Sequence, residues 1–196
     1  MLDITPEKAE IIGLLCAEGS FHDYTSTFME YYKDRKKSYL KKNKRSIYIQ
    51  FANFDEKLLL HFKDLINKVY GYDVPINKDR VRICRRSLID DLLKYTDYGH
   101  LKWEIPNSVK KGSKDIKIKF IRGFFDGDGT ISTTVRMFST NELSLRGISD
   151  LLKEIGIKNN FNGPCIRESR KPYFYIYILR SEQSKFLNMI DPRSKK

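Results

Sequence analysis

The stretch FIRGFFDGDGTIS, Phe120 to Ser132, ends an apolar run with two carboxylates, Asp126 and Asp128, set between glycines. D-x-D-G-x-I is how the middle of a calcium-binding EF-hand loop reads. Such a loop also requires a carboxylate at its first position and a bidentate glutamate at its twelfth. With Gly129 as the invariant glycine, those positions hold Phe124 and Val135. The ring of oxygens cannot close without them, so a calcium loop is excluded and the acids need another explanation.

IIGLLCAEGSF, Ile11 to Phe21, has the same form as IRGFFDGDGTI, Ile121 to Ile131, at an offset of 110 residues. Gly13 matches Gly123, Ala17 matches Gly127, Glu18 matches Asp128 and Gly19 matches Gly129. Asp126 falls opposite Cys16, which cannot do carboxylate chemistry, so Asp126 reads as a structural acid. A single acid–glycine pair is ordinary turn punctuation. An acid at the matched position of both copies is not, because a carboxylate beside the unpaired carbonyls of a helix end is locally unfavourable and stability alone does not ask for it.

The elements that must hold these acids follow from periodicity. EKLLLHFKDLINKVYG (Glu56 to Gly71) answers to ELSLRGISDLLKEIG (Glu142 to Gly156), each an amphipathic helix closed by a glycine, the usual residue of a left-handed helix stop. RSLIDDLLKY, from Arg86, parallels RSEQSKFLNMI, from Arg180, with Ser87 and Ser181 placed to cap the helices that follow. Between the helices, apolar and polar residues alternate. Ile47, Ile49 and Phe51 alternate with Ser46, Tyr48 and Gln50, and Val81 and Ile83 with Arg80 and Arg82. In the second copy Ile131, Val135 and Met137 alternate with Thr130, Ser132, Thr134 and Arg136, and Phe174, Ile176 and Ile178 with Tyr173, Tyr175 and Tyr177. Period two with one apolar face predicts sheets packed on helices with their other face open.

The predicted fold class is therefore α+β, two pseudo-symmetric αββαββα halves. Residues 1–98 form the first half, 99–113 a linker where Pro and Gly break the patterns, and 114–196 the second half. DIKIKF, Asp115 to Phe120, alternates like a strand. The repeat assigns it to a helix, since its counterpart opens one with Thr5 as cap and Pro6 in the first turn.

A chain of 196 residues with 40% hydrophobic and 13% aromatic residues can bury a core, and its formal charge of +12 favours a polyanionic partner. The longest apolar run, IIGLLCA, is far too short to span a bilayer. The N-terminal MLDITPEKAE has neither a signal-peptide nor a transit pattern. Cys16, Cys84 and Cys165 fit no disulfide framework and no zinc spacing. A soluble intracellular protein with no membrane partner is expected.

With both copies located, the chain resembles the LAGLIDADG homing endonucleases of the single-chain, two-motif kind, over nearly its whole length. IIGLLCAEG and IRGFFDGDG stand where that family has its signature helices. The resemblance implies that these helices pack together through Gly13, Ala17, Gly123 and Gly127, small residues four apart on one helix face. It implies that Glu18 and Asp128 meet there as catalytic metal ligands, one for each scissile strand, joined by the backbone carbonyls of Ala17 and Gly127. Hard oxygen ligands suit Mg2+, with Mn2+ or Ca2+ able to substitute in binding. The implied activity is metal-dependent cleavage of both strands of a long asymmetric DNA target by an intron-encoded monomer. Having Glu in one copy and Asp in the other predicts unequal cutting of the two strands. The family also holds RNA maturases and cleavage-dead DNA binders, so intron RNA is the alternative partner.

Active members carry Lys or Gln where the second strand runs into the next helix. Here QFANFDEK and MFSTNELS offer Asn53, Thr140 and Asn141, leaving Gln50 or a lysine from elsewhere for that polar role. Asn53 and Ser139 each precede a glutamate by three residues, a capping-box pattern, and are expected to cap.

The resemblance further implies that the two sheets form a saddle on the duplex. Their open faces would then present Tyr48, Gln50, Arg80, Arg82, Ser132, Thr134, Arg136, Arg167, Arg170, Tyr173, Tyr175 and Tyr177 to the major groove. The halves are unequal. Fifty-two residues separate Gly19 from Gly71, but 27 separate Gly129 from Gly156. The excess lies in the first hairpin, where KDRKKSYLKKNKR brings eight basic residues against one acid. Arg35, Lys36, Lys37, Lys41, Lys42 and Arg45 are expected to reach phosphates beyond the core footprint.

Overall fold

The computed structural model describes residues 4–166, 168 and 171–193. The first half runs α1 (Pro6–Glu18), β1 (Gly19–Tyr32), β2 (Lys37–Ala52), α2 (Glu56–Tyr70), β3 (Ile76–Asn77), β4 (Arg80–Ile83) and α3 (Arg86–Leu93). After a short α4 (Asn107–Lys110), the second half repeats the order. It comprises α5 (Lys114–Asp128), β5 (Gly129–Ile131), β6 (Val135–Ser139), α6 (Glu142–Glu154), β7 (Asn159–Cys165), β8 (Tyr173–Ile178) and α7 (Gln183–Ile190), the last entered through a 3-10 turn at Arg180–Glu182. Each half carries one antiparallel four-stranded sheet, in the orders β1-β2-β4-β3 and β5-β6-β8-β7. The identical order is the duplication written in topology.

Local signals account for most boundaries. Thr5 accepts from the Lys8 amide at 3.2 Å with Pro6 opening α1, and Ser113 accepts from the Ile116 amide at 3.4 Å to open α5. DIKIKF is helical, as the repeat requires. Gly71, at φ 60° and ψ 30°, stops α2 in the left-handed region. The serine caps are corrected. Ser87 lies inside α3, which has no side-chain cap, and Ser181 sits within the 3-10 turn, also uncapped. Asn53 and Ser139 are corrected as well: the caps are Asp55 and Asn141, two residues later, accepting from the Lys57 and Ser144 amides. Asn53 Oδ1 and Ser139 Oγ instead accept from the Asp55 and Asn141 amides, at 2.9 and 3.1 Å, and hold the capping residues in place.

Helices α2 and α6 cover the apolar sheet faces, with Phe51 stacked on Phe62 at 4.5 Å between ring centroids. The segment joining the halves is part of the core. Trp103, Ile105 and Val109 are buried, and the Trp103 carbonyl accepts from Asn141 Nδ2 at 2.8 Å and Ser144 Oγ at 2.7 Å.

One buried charge crosses between the halves. Glu10 of α1 takes His61 Nε2 at 2.7 Å and Lys119 Nζ at 3.3 Å, with Arg193 Nε at 3.8 Å and Arg122 at 4.0 Å. Burial pushes its pKa up, but His61, Lys119 and Arg122 outweigh that and hold it below the ordinary 4.5. A depressed folded pKa contributes stability that is present above the ordinary value and lost as pH falls through the folded one. Glu10→Gln is therefore expected to cost about 2 kcal/mol at neutral pH, less than a sealed ion pair because Lys119 and Arg193 reach solvent. It should also flatten the acid limb of the stability profile. Urea midpoints of both proteins at neutral and acid pH check both effects.

Candidate active site and nucleic-acid interface

The site begins where α1 and α5 touch. A Cβ on Gly13 would strike the Phe120 carbonyl, and one on Gly123 would strike the Glu10 carbonyl, so the two backbones lie in direct contact at each crossing. One turn further on, a Cβ on Gly127 would come within 2.5 Å of the Ala17 Cβ and 3.1 Å of the Glu18 Cγ. The four small residues are thus brought together as one interface, and the Glu18 side chain lies against the last turn of the opposite helix.

Both helices end identically. Gly19 and Gly129 are extended, at φ −91° in each case, and their amides bond back to the Leu15 and Phe125 carbonyls while β1 and β5 begin at once. Phe21 N–H then bonds the Tyr98 carbonyl at 3.3 Å. Neither last turn holds a basic residue. Two partial negative helix ends and two carboxylates, Glu18 and Asp128, therefore converge with no cationic side chain supplied by either helix end. Asp128 lines a cavity of about 200 Å³ together with Ala17, Gly19, Ser139 and Thr140.

The donor chemistry fits a divalent cation. Among the described residues no group of three or more His, Cys, Asp or Glu is placed to hold a metal. The oxygens at this junction belong to the two carboxylates and to the carbonyls of Ala17 and Gly127, a hard donor set that water and phosphate could complete. A hard ion that keeps several waters, such as Mg2+, suits that set. Asp126, by contrast, is fully buried and accepts from the Arg193 amide at 2.8 Å, tying down the end of the chain.

The surroundings of the two acids differ. Asn53 Nδ2 donates to Glu18 Oε1 at 3.4 Å. Its counterpart Ser139 is shorter, and its Oγ accepts from the Asn141 amide. Near Asp128 the cavity wall instead includes His100, whose ring spans Thr140 Oγ1 and Lys171 Nζ, each at 3.1 Å. Sequence reasoning missed both His100 and Lys171. They lie on the inter-half connection and the β7–β8 connection, and no spacing relates them.

The open sheet faces hold the groove candidates. In the first sheet Gln50 pairs with Arg82 and Ala52 with Arg80. Arg82 Nε donates to Gln50 Oε1 at 2.9 Å and its guanidinium lies 4.9 Å from the Tyr48 ring centre. His22, also missed, stacks on Tyr48 at 4.6 Å and meets Ser20 Oγ at 2.8 Å. Burial and then Arg82 lower its pKa, which favours the neutral ring. Only Phe21 is apolar in GSFHDYTS, so alternation there was too sparse to read. Arg80 is held by Asp79 in a two-pronged pair at 2.8 and 3.0 Å.

In the second sheet Arg136 pairs with Tyr177 across the strands and lies 5.4 Å from the Tyr175 ring centre. Tyr173 packs near Phe138, and Ser132 and Thr134 occupy the β5–β6 turn. Arg167 and Arg170 lie outside the described residues.

The first hairpin continues as paired strands out to its tip, with an irregularity between Ser26 and Phe28. Arg35 and Lys36 occupy the turn, with Lys37, Lys41 and Lys42 on the returning strand. Lys41 lies 3.6 Å from Glu30. Arg45 sits on the face of Ile47 and Ile49, away from Tyr48, and grips Asp23 at 2.9 and 2.7 Å. Converting Lys36, Lys37, Lys41 and Lys42 to Ala is expected to weaken duplex binding uniformly across sequences. The slope of log K against log salt should flatten by about 0.9 for each phosphate that is no longer neutralised, which a titration by fluorescence anisotropy measures.

Residues 115–191 match the family model of a LAGLIDADG-like domain. No curated protein sequence matches the chain. Among solved structures it is similar to variants of the homing endonuclease I-DmoI, with a TM-score of 0.67 and 17% identity over 94% of each chain. Similarity to I-DmoI in complex with DNA and Mn gives a TM-score of 0.63 at 17% identity, over 94% of this chain and 96% of that one. The LAGLIDADG homing endonuclease I-GzeII in complex with its DNA target matches at a TM-score of 0.52 and 13% identity, over 98% of this chain and 86% of that one. Among the described residues no helix is long and apolar enough to cross a membrane.

Proposed function

Since the chain carries the two-motif LAGLIDADG fold, with a LAGLIDADG-like domain in its second half, we propose that it is a homing endonuclease. On this reading it is an intron-encoded monomer that breaks both strands of a long, asymmetric DNA site with a divalent metal. The observation that carries the proposal is the convergence of Glu18 and Asp128 at the glycine-packed helix ends, where β1 and β5 start. Nothing in the fold's stability asks for two acids there. Complexes of I-DmoI with DNA and Mn, Ca or Mg give the choice of cation further support.

In this reading Glu18 and Asp128, with the carbonyls of Ala17 and Gly127, hold the cation. A divalent cation bound there would lower the pKa of a water and offset charge on the departing 3′ oxygen. Asn53 orients the Glu18 carboxylate through its amide. The sheet faces around Tyr48 and Arg82, and around Arg136 and Tyr175, read base edges, while the long first hairpin holds phosphates. A chain with unequal halves in one polypeptide matches an asymmetric site without needing a partner copy.

The test is a supercoiled plasmid carrying the joined flanks of the DNA in which this reading frame resides, incubated with Mg2+ or with EDTA. Metal-dependent linear product is expected. Salt-sensitive binding to the corresponding intron RNA without any cutting would replace the nuclease by a maturase.

A further inference from the structure

His100, Thr140 and Lys171 come from three separate stretches of chain, yet they form one hydrogen-bonded line: His100 and Thr140 line the Asp128 cavity, and Lys171 joins them through the His100 ring. The chemistry of the line fixes its direction. An ammonium only donates, so His100 Nε2 accepts from Lys171, and the remaining N–H at Nδ1 must donate to Thr140 Oγ1. The imidazole is neutral in this arrangement. Among the described residues Lys171 forms no ion pair with a carboxylate, so its charge is aimed without being neutralised. Most lysines placed to stabilise a fold do the reverse.

The surroundings of the two acids are not equivalent: Asn53 Nδ2 donates to Glu18, and Ser139 stands at the matching position in the wall of the Asp128 cavity, with His100 and Thr140 beside it. We propose that Lys171, aimed by the neutral His100–Thr140 relay, binds the scissile phosphate of the strand served by Asp128 and stabilises the charge that develops on it. Lys171 contacts the substrate; His100 is a positioning residue. The inference rests on the nuclease reading. Phosphoryl transfer gathers negative charge on the non-bridging oxygens, and a preorganised cation aimed at them stabilises that charge without reorganising as it develops.

The experiment follows nicked and linear products of the same supercoiled plasmid over time, with end-labelled strands to assign each cut. Lys171→Met should slow one strand on the order of 100-fold and leave the other at its original rate, so nicked circles accumulate. His100→Leu should slow the same strand, and His100→Gln, whose amide can accept from Lys171 and donate to Thr140, should recover much of it. Thermal unfolding of each variant should match the unaltered protein, since the His100 and Lys171 side chains are exposed. Equal rates on both strands in Lys171→Met, or equal slowing of both, would overturn the assignment. No cutting by the unaltered protein would overturn the nuclease reading itself, which separates the two failures.

Discussion

Glu18→Gln and Asp128→Asn are each expected to abolish double-strand cleavage, by at least about 1,000-fold, because on the proposed function each removes a metal ligand, a loss larger than that of a single transition-state donor. Both changes keep size and shape and replace an anionic oxygen by a neutral one, so the cation loses charge compensation while the helix junction keeps its packing. Binding to target duplex in Ca2+ should stay within a few fold, since the proposed function gives both acids to the cation and leaves the bases and backbone to the sheet faces and the long hairpin. Stability should move the other way. A carboxylate at a helix C-terminus opposes the local dipole, and neutralising it should stabilise each variant by about 0.3–1 kcal/mol. A protein that melts higher and cuts nothing is the signature of acids kept for chemistry. Variants that melt lower, or that fail to bind DNA, would reassign Glu18 and Asp128 to a structural role. Plasmid cleavage, anisotropy and a thermal melt on the same preparations decide between these outcomes.

How much of this was legible in the sequence depends on whether the constraint is local. Gly13, Ala17, Gly123 and Gly127 were readable because backbone contact between two helices demands small residues at a fixed spacing. The strands were readable because burial on one face imposes period two, as Phe174, Ile176 and Ile178 show against the half-exposed tyrosines between them. DIKIKF was readable only through its repeat partner, since its own alternation points to the wrong element. Capping was misplaced because each helix start offers two acceptors two residues apart. Asn53 and Asp55, or Ser139 and Asn141, compete, and the backbone turn that decides between them has no signature in side-chain type. His100 and Lys171 could not be found, because tertiary geometry alone brings His100 to the Asp128 cavity and Lys171 to His100. Asn53 was visible as a candidate, but its contact with Glu18 depends on where β2 ends relative to α1. The duplication is what made the acids stand out; the asymmetries around them, which distinguish the two strands, belong to single positions with no repeat to compare.

Gly123→Ala is expected to destabilise the protein by about 3 kcal/mol, at the upper end of what overpacking costs. Alanine favours a helix over glycine by about 1 kcal/mol, so intrinsic propensity predicts the opposite sign. Packing wins because the added Cβ meets the Glu10 carbonyl, a backbone atom with no rotamer to escape into, and the α1–α5 pair must spread. For a chain of this size that corresponds to a fall in Tm of roughly 6–12 °C. Spreading the helices also separates Glu18 from Asp128, so cleavage should fall further than the folded fraction does. Gly127→Ala provides the contrast. Its Cβ would meet a side-chain methyl, Ala17 Cβ at 2.5 Å, rather than a carbonyl. Gly127→Ala alone should lose stability, and adding Ala17→Gly should restore most of it, because the pair again carries one methyl at the crossing. The same rescue cannot work at Gly123, where the obstacle is main chain. Chemical denaturation of the two single variants, the double variant and Gly123→Ala measures the pattern. Additive losses at Ala17 and Gly127, or an undiminished midpoint for Gly123→Ala, would mean that the helices do not meet backbone to backbone, and the shared site at their ends would go with that meeting point.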